Sequence, residues 1–153
     1  MSMALSHKDR LLLVGQALQY HHKDLRLLEK AFIARGAEGT VEIVDGNGKK
    51  TYKIVDQDKY DGNRRLVQVG QSVVQLVTTQ TGQKSLFLPS TPIERLTQRA
   101  QSLEFYDLIK LNPRQRGVVS PVTLRSVYRA IVGAVWEDSG KDYEIAQQVV
   151  HRL

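Results

Sequence analysis

Arg64, Val67 and Gln71 stand three and four residues apart, so on a helix they share one face. Ser126 and Arg129 are related in the same way further along the chain. These residue types make a poor metal site. Arginine is always charged and only donates, valine offers no oxygen, and glutamine and serine offer neutral oxygens where Mg²⁺ selects carboxylates. What arginine does well is hold a phosphate through its planar fork of N–H donors. Further arginines lie close in sequence: Arg65 beside Arg64, Arg114 and Arg116 in a short basic loop, and Arg125 next to Ser126. Together Arg64, Arg65, Arg114, Arg116, Arg125 and Arg129 are the candidate contacts to a polyanion, with RNA the natural one.

Other constellations carry less. His21 and His22 are adjacent, so their side chains diverge, and no further His or Cys stands at ligand spacing; they read as exposed polar residues. Gly46-Asn47-Gly48 lacks the Lys-Ser/Thr and the following helix of a phosphate loop. Ser126 has no His and acid that sequence can assign to it, so nucleophilic catalysis is unsupported. Asp56, Asp58 and Asp61, beside Lys59, read as a solvated acidic loop. No cofactor is implied.

The two faces must be carried by two helices. Leu66, Val69, Val73 and Leu76 recur at helical spacing and predict a buried helix to about Thr79. Ser120-Pro121 is a cap followed by proline in the first turn, and Leu124, Val127, Tyr128, Ile131 and Val135 form the buried stripe of the second helix. Around them, Ser6 and Asp9 start a helix over about 7–19, with Leu11, Val14 and Leu18 inward. Asp24 caps another, with Leu25, Leu28 and Phe32 inward and Gly36 as its stop. Thr40–Val44 and Thr51–Val55 are β-rich and flank Asp45-Gly46-Asn47-Gly48, which predicts a hairpin over about 40–55. Residues 81–90 read as a linker. Thr91-Pro92-Ile93-Glu94 reads as a full helix start capped by Thr91, with Ile93, Leu96, Ala100 and Leu103 inward. Asn112-Pro113 ends that stretch. Asp142 or Lys141 opens a last helix with Tyr143, Ala146, Val150 and Leu153 inward.

This pair of helices resembles the two signature helices of the ribonuclease III domain. The family pattern N-E-R-L-E-F-L-G-D-A-V-L stands here as Asn63-Arg64-Arg65-Leu66-Val67-Gln68-Val69-Gly70-Gln71-Ser72-Val73-Val74. The pattern A-D-x-x-E-A-L-I-G-A stands as Arg125-Ser126-Val127-Tyr128-Arg129-Ala130-Ile131-Val132-Gly133-Ala134. His21 to Phe32 is similar to the opening F-K-D-P-E-L-L-E-Q-A-L, which the family continues as T-H-R-S where this chain has Ile33-Ala34-Arg35-Gly36. Leu103 to Leu111 resembles G-L-x-x-Y-L-x-L-G. The framework residues Asn63, Leu66, Gly70, Val73, Ala130, Gly133 and Ala134 match, whereas Arg64, Val67, Gln71, Ser126 and Arg129 replace the carboxylates.

The resemblance implies an all-α fold, a ribonuclease III-like helical domain with an inserted β-hairpin, spanning 1–153 as one domain with no double-stranded-RNA-binding domain. The family cleaves double-stranded RNA with Mg²⁺ held by clustered acids. With those acids replaced, the expectation is a scaffold without nuclease activity, bound to no metal. Two roles remain for Arg64 and Arg129: gripping phosphate directly, or forming salt bridges, with Glu137 and Asp138 available. The resemblance extends to non-catalytic ribonuclease III-like proteins of the mitochondrial ribosome large subunit, notably in fungi, which implies a structural RNA-binding role on double-stranded or ribosomal RNA and a mitochondrial location. The alternative is an inactive dimerisation or regulatory partner of an active ribonuclease III-like enzyme. Family domains pair through the signature helices, so Val67, Gln68 and Val74 are the expected interface of a homodimer or heterodimer, with Gln68 in place of an aromatic knob.

Composition sets the frame for these expectations. The chain of 153 residues carries a net charge of +6 and a pI near 9.7, which favours polyanionic partners. It has no cysteine, which excludes disulfides and Cys-bound zinc. No apolar run approaches the roughly 20 residues of a membrane span, and Met1 to Leu5 lack the layout of a signal peptide.

Overall fold

Two long helices cross at a pair of glycines, and the rest of the chain is arranged around that crossing. In the computed structural model, which describes residues 5–82, 91–103 and 105–153, they are α4 (Arg64–Thr81) and α6 (Pro121–Asp138). A Cβ built on Gly70 would lie 1.6 Å from the carbonyl oxygen of Arg129, and one built on Gly133 would lie 2.2 Å from that of Leu66. Only glycine lets the two backbones approach so closely. Leu66, Val73, Val74 and Val77 of α4 then bury against Val127, Ala130, Ile131 and Ala134 of α6.

The remaining elements wrap this pair. α1 (His7–Leu18) is capped by the Ser6 side chain, which accepts from the Asp9 amide, and buries Leu11, Val14 and Leu18 as its spacing predicts. α2 (Leu25–Ala31) is capped by Asp24. α3 (Gln57–Asp61) is one short turn capped by Asp56. α5 (Ile93–Ser102) packs Leu96 and Ala100 inward, and α7 (Tyr143–Arg152), capped by Asp142, buries Ala146 and Val149. Short 3-10 turns occupy Tyr106–Leu108 and Pro113–Gln115. Strands β1 (Thr40–Val44) and β2 (Lys50–Ile54) pair antiparallel, Thr40 opposite Ile54 and Val44 opposite Lys50, as the expected inserted hairpin. The fold is therefore mostly helical with one two-stranded ribbon, in line with the sequence.

Several details differ. Leu76 is 43% exposed and Val77 takes the inward place, because a period of 3.6 rather than 3.5 shifts the stripe along an 18-residue helix. Thr91 does not cap α5: the helix begins after Pro92 without a side-chain cap, and Ile93 is 53% exposed. The backbone carbonyl of Thr91 instead accepts from Arg125, 2.8 Å away. Helix α2 stops at Ala31 rather than near Gly36, because the chain turns extended there and pairs with Lys110: Lys110 N donates to Phe32 O and Ala34 N donates to Lys110 O. In the last helix Val149 is buried where Val150 is only half-buried. The acids at 56–61 are not a loose loop. Asp56 caps α3, Asp58 pairs with Lys30 at 3.8 Å and Asp61 accepts from the Gln57 amide. Residues 83–90, most of the expected linker, lie outside the described residues.

His22 is buried rather than exposed, in the turn that Asp138 holds. Asp138, at the end of α6, accepts from Tyr20 Oη at 2.6 Å and from the backbone amides of Lys23 and Asp24, each at 2.8 Å. One carboxylate thereby ties the α1–α2 turn to the central helix. Burial alone would raise its pKa; the bonds from Tyr20 and the two amides outweigh that and hold it below the usual carboxylate value. The Tyr20 hydroxyl is pushed up by burial and by its bond to Asp138. His22 is held below its ordinary value by burial, with His21 acting in the same direction and the Asp138 charge opposing.

A candidate nucleic-acid cleft between the two central helices

An open cleft of about 400 Å³ lies where the start of α4 faces the first turns of α6. Its floor is set by Asn63. This side chain is buried and donates to Ala31 O at 2.9 Å, while its backbone amide donates to Ile33 O at 2.8 Å. The residue before α4 is thus spent on joining α4 to the end of α2 rather than on capping. Gly62 precedes it at φ +54, with Ile33 O only 2.6 Å from where a Cβ would stand, so the joint is tight.

From this floor α4 presents Arg64 and Val67, and α6 presents Val122, Thr123 and Ser126. The rim is a hydrogen-bonded frame. Asn112 Oδ1 accepts from the Arg114 amide, and Asn112 Nδ2 donates to Arg35 O at 3.3 Å. Gln115 accepts from the Asn112 amide and donates to Thr123 Oγ1 at 2.7 Å. Asn112 and Gln115 therefore fix the backbones of Arg35 and Arg114 against α6. Arg35, Arg64 and Arg114 all line the cleft, and no carboxylate does among the described residues. The guanidinium of Arg35 lies 5.6 Å from the ring centroid of Tyr60. Nor do the described residues hold a group of three or more His, Asp or Glu that could bind a metal ion. Chemically, the guanidinium groups of the cleft can take phosphate.

The structure brings together Arg64, Val67 and Ser126 of the five substituted positions. Gln71 is exposed further along α4, and Arg129 is half-buried, its carbonyl against Gly70. Burial, and then Arg125, lower the pKa of Arg129. The six candidate RNA contacts separate. Arg64 and Arg114 line the cleft, and Arg116 is exposed beyond the 3-10 turn. Arg65 faces Glu137 at 3.1 Å, and Arg125 is half-buried, anchoring Thr91. Neither available acid is spent on Arg64, since Glu137 pairs with Arg65 and Asp138 holds the α1–α2 turn. Arg35 was not among the sequence candidates. Its signal was present, because it stands where T-H-R-S has its arginine. Of the expected interface, Gln68 is exposed and Val67 half-buried, while Val74 is buried within the chain's own core.

No family profile matches the chain, and no curated protein matches it. Solved structures do. The nuclease domain of ribonuclease III from Campylobacter jejuni superimposes with a TM-score of 0.60 at 20% identity, over 92% of this chain and 90% of that one. Another structure of that nuclease domain, described for structural flexibility in the region involved in dimer formation, gives 0.58 at 22% identity, covering 92% of both chains. The fold is that of a ribonuclease III nuclease domain. No helix among the described residues is long and apolar enough to cross a membrane.

Proposed function

We propose that this chain is a non-catalytic ribonuclease III-like protein that binds RNA as a structural component of a ribonucleoprotein. The observation that carries the reading is the cleft between α4 and α6, where Arg35, Arg64 and Arg114 stand and, among the described residues, no acid does. In the family the sequence resembles, carboxylates and Mg²⁺ occupy the corresponding faces. Here fixed cations would meet the phosphates directly. Following the same resemblance, we place the protein in the large subunit of a mitochondrial ribosome, where ribosomal RNA would be its ligand; purification of the native complex and identification of its RNA tests that placement.

The binding and the missing chemistry are tested together. Structured RNA is titrated with the pure protein at several salt concentrations, in parallel with incubation in Mg²⁺ or Mn²⁺. The expected result is salt-dependent binding without discrete cleavage products. Arg64→Gln and Arg114→Gln should each flatten the slope of log K against log salt by up to about 0.9 for each lost duplex phosphate contact. Chelator-sensitive short products that follow the protein through purification would overturn the non-catalytic reading. Absence of RNA binding at low salt would overturn the RNA reading and leave the dimerisation partner in its place.

A further inference from the structure

The arginine cleft shares a wall with a second, smaller hollow. Asn112 and Arg114 line both. The smaller one, about 130 Å³, is formed where the hairpin leans over the body. Its walls are the ring of Tyr52 from β2, the ring of Tyr60 from α3, Ile54 and Pro113. Tyr52 and Ile54 are two residues apart on one strand, so they share one face of the ribbon. Tyr52 is nevertheless 45% exposed while lining this hollow. Tyr60 carries the guanidinium of Arg35 at its ring, and Arg35 belongs to the larger cleft. Two tyrosines thus line a hollow that shares Arg114 with the arginine cleft and has Arg35 at the ring of Tyr60, and no carboxylate lines either cavity among the described residues.

We propose that the hairpin and the arginine cleft together hold one unpaired RNA nucleotide, its base against Tyr52 and Tyr60 and its flanking phosphates on Arg114 and the cleft. The proposal rests on the RNA-binding reading above and specifies its substrate class. A duplex shows a protein mainly its phosphates and 2′-hydroxyls, which the arginines alone could meet. A base turned out of its stack instead exposes two π-faces, and the common way to satisfy these is an aromatic side chain beside a cationic groove. The small hollow is too narrow for a helix of RNA, and Tyr52, Ile54, Tyr60 and Pro113 offer a single base apolar surface beside the polar groups of Thr40, Asn112 and Arg114. Stacking is tolerant of base identity, so the site would recognise that a nucleotide is unpaired rather than which nucleotide it is.

The test uses the full chain and two RNAs: a blunt duplex, and the same duplex with one unpaired fluorescent adenine analogue whose emission falls on stacking. The wild-type protein should bind the bulged RNA about tenfold or more tighter than the duplex, the lower range for one stacked base, and should quench the analogue. Tyr52→Ala should remove both the preference and the quenching and leave duplex affinity where it was, whereas Tyr52→Trp should restore both. Tyr52 lies on an exposed ribbon away from the core, so a circular dichroism melt should show both variants folded. Equal affinity for the two RNAs without an emission change, or quenching that survives Tyr52→Ala, would overturn the nucleotide pocket while leaving RNA binding intact. Failure to bind either RNA would overturn both.

Discussion

Replacing Gly70 with alanine is the sharpest test of how the cleft is held open and in register. At an ordinary helix position the change stabilises by about 1 kcal/mol, because alanine loses less backbone entropy. Here the new methyl would stand 1.6 Å from Arg129 O, and reaching even a 3.0 Å contact requires the helices to part by about 1.4 Å. Side-chain rearrangement offers no escape, since the obstacle is backbone. A gap of ~1 Å already forfeits up to half of each dispersion contact, and the contacts at risk join Leu66, Val73 and Val77 to Val127, Ala130 and Ile131. Overpacking typically costs about 1–3 kcal/mol and occasionally more, and a methyl set against immovable backbone puts this site at the upper end and beyond, about 3–5 kcal/mol. Net of the propensity gain, destabilisation of about 2–4 kcal/mol remains, a fall in Tm of roughly 5–15 °C for a domain of this size. Gly46→Ala is the matched control, because nothing lies within 4 Å of its would-be Cβ and its φ is not positive. Thermal unfolding followed by circular dichroism decides. A Gly70→Ala protein that melts at or above the wild-type temperature would refute the close crossing and the cleft geometry built on it.

Three further outcomes follow from the same structure. Asp138→Ala should cost about 2–4 kcal/mol at neutral pH in urea titrations, since it orphans two backbone amides and the Tyr20 hydroxyl at a partly buried joint. The wild-type protein should lose stability in two acid steps: first as pH falls below 6.5, where the unfolded chain protonates His22 while the folded one resists, and then below 3.8, as pH falls through the depressed pKa of Asp138, with the second step reduced in Asp138→Ala, where the depressed pKa of Asp24 remains. If the chain pairs with a copy of itself through α4, the contact must use the polar surface of Gln68, Gln71, Ser72 and Gln75 with Leu76, because Val73 and Val74 are already buried. Gln68→Phe should then tighten the dimer in light scattering at micromolar concentration, and an unchanged monomer in both proteins would refute pairing through this face.

How far the fold could be read from sequence depended on what each signal measures. Caps were legible because they are local: Ser6, Asp24, Ser120 and Asp142 each accept from the amides that their chemistry predicts. The hairpin was legible for the same reason. Thr91 misled because Thr-Pro and a following Glu satisfy a local pattern, yet Arg125, distant in sequence, claims the carbonyl of Thr91. His22 and Asp138 were missed because nothing local links positions more than a hundred residues apart; only the packed fold brings them together. The cleft was half legible. Arg64, Val67 and Ser126 converge because helical spacing fixes which residues share a face. Arg35 reaches the same place through an extended connection, and Tyr60 reaches the hollow beside it on a single short helix, where periodicity says nothing. Arg65 and Arg125 had the right charge but are engaged elsewhere, by Glu137 and by the carbonyl of Thr91.

The residues that match the ribonuclease III pattern and those that do not fall on different sides of the two helices. Asn63, Leu66, Gly70 and Val73 form the inner side of α4, and Ala130, Gly133 and Ala134 the inner side of α6, all of them buried. Arg64, Val67 and Gln71, like Ser126 and Arg129, lie on sides that are at least partly open. Crossing geometry and surface chemistry are therefore carried by different faces of the same two helices, and one can change without the other. A cluster of carboxylates is held together by its metal; without the metal, like charges at short range repel. Arg64, Val67 and Ser126 carry no such repulsion, and with Arg35 and Arg114 the cleft has a positive field. On the proposed reading the guanidinium groups take over one half of the metal's work, neutralising phosphate, and cannot perform the other half, lowering the pKa of a bound water. A chain with this arrangement would hold RNA in place rather than cut it, and the separation of faces allows that change at little cost to the core.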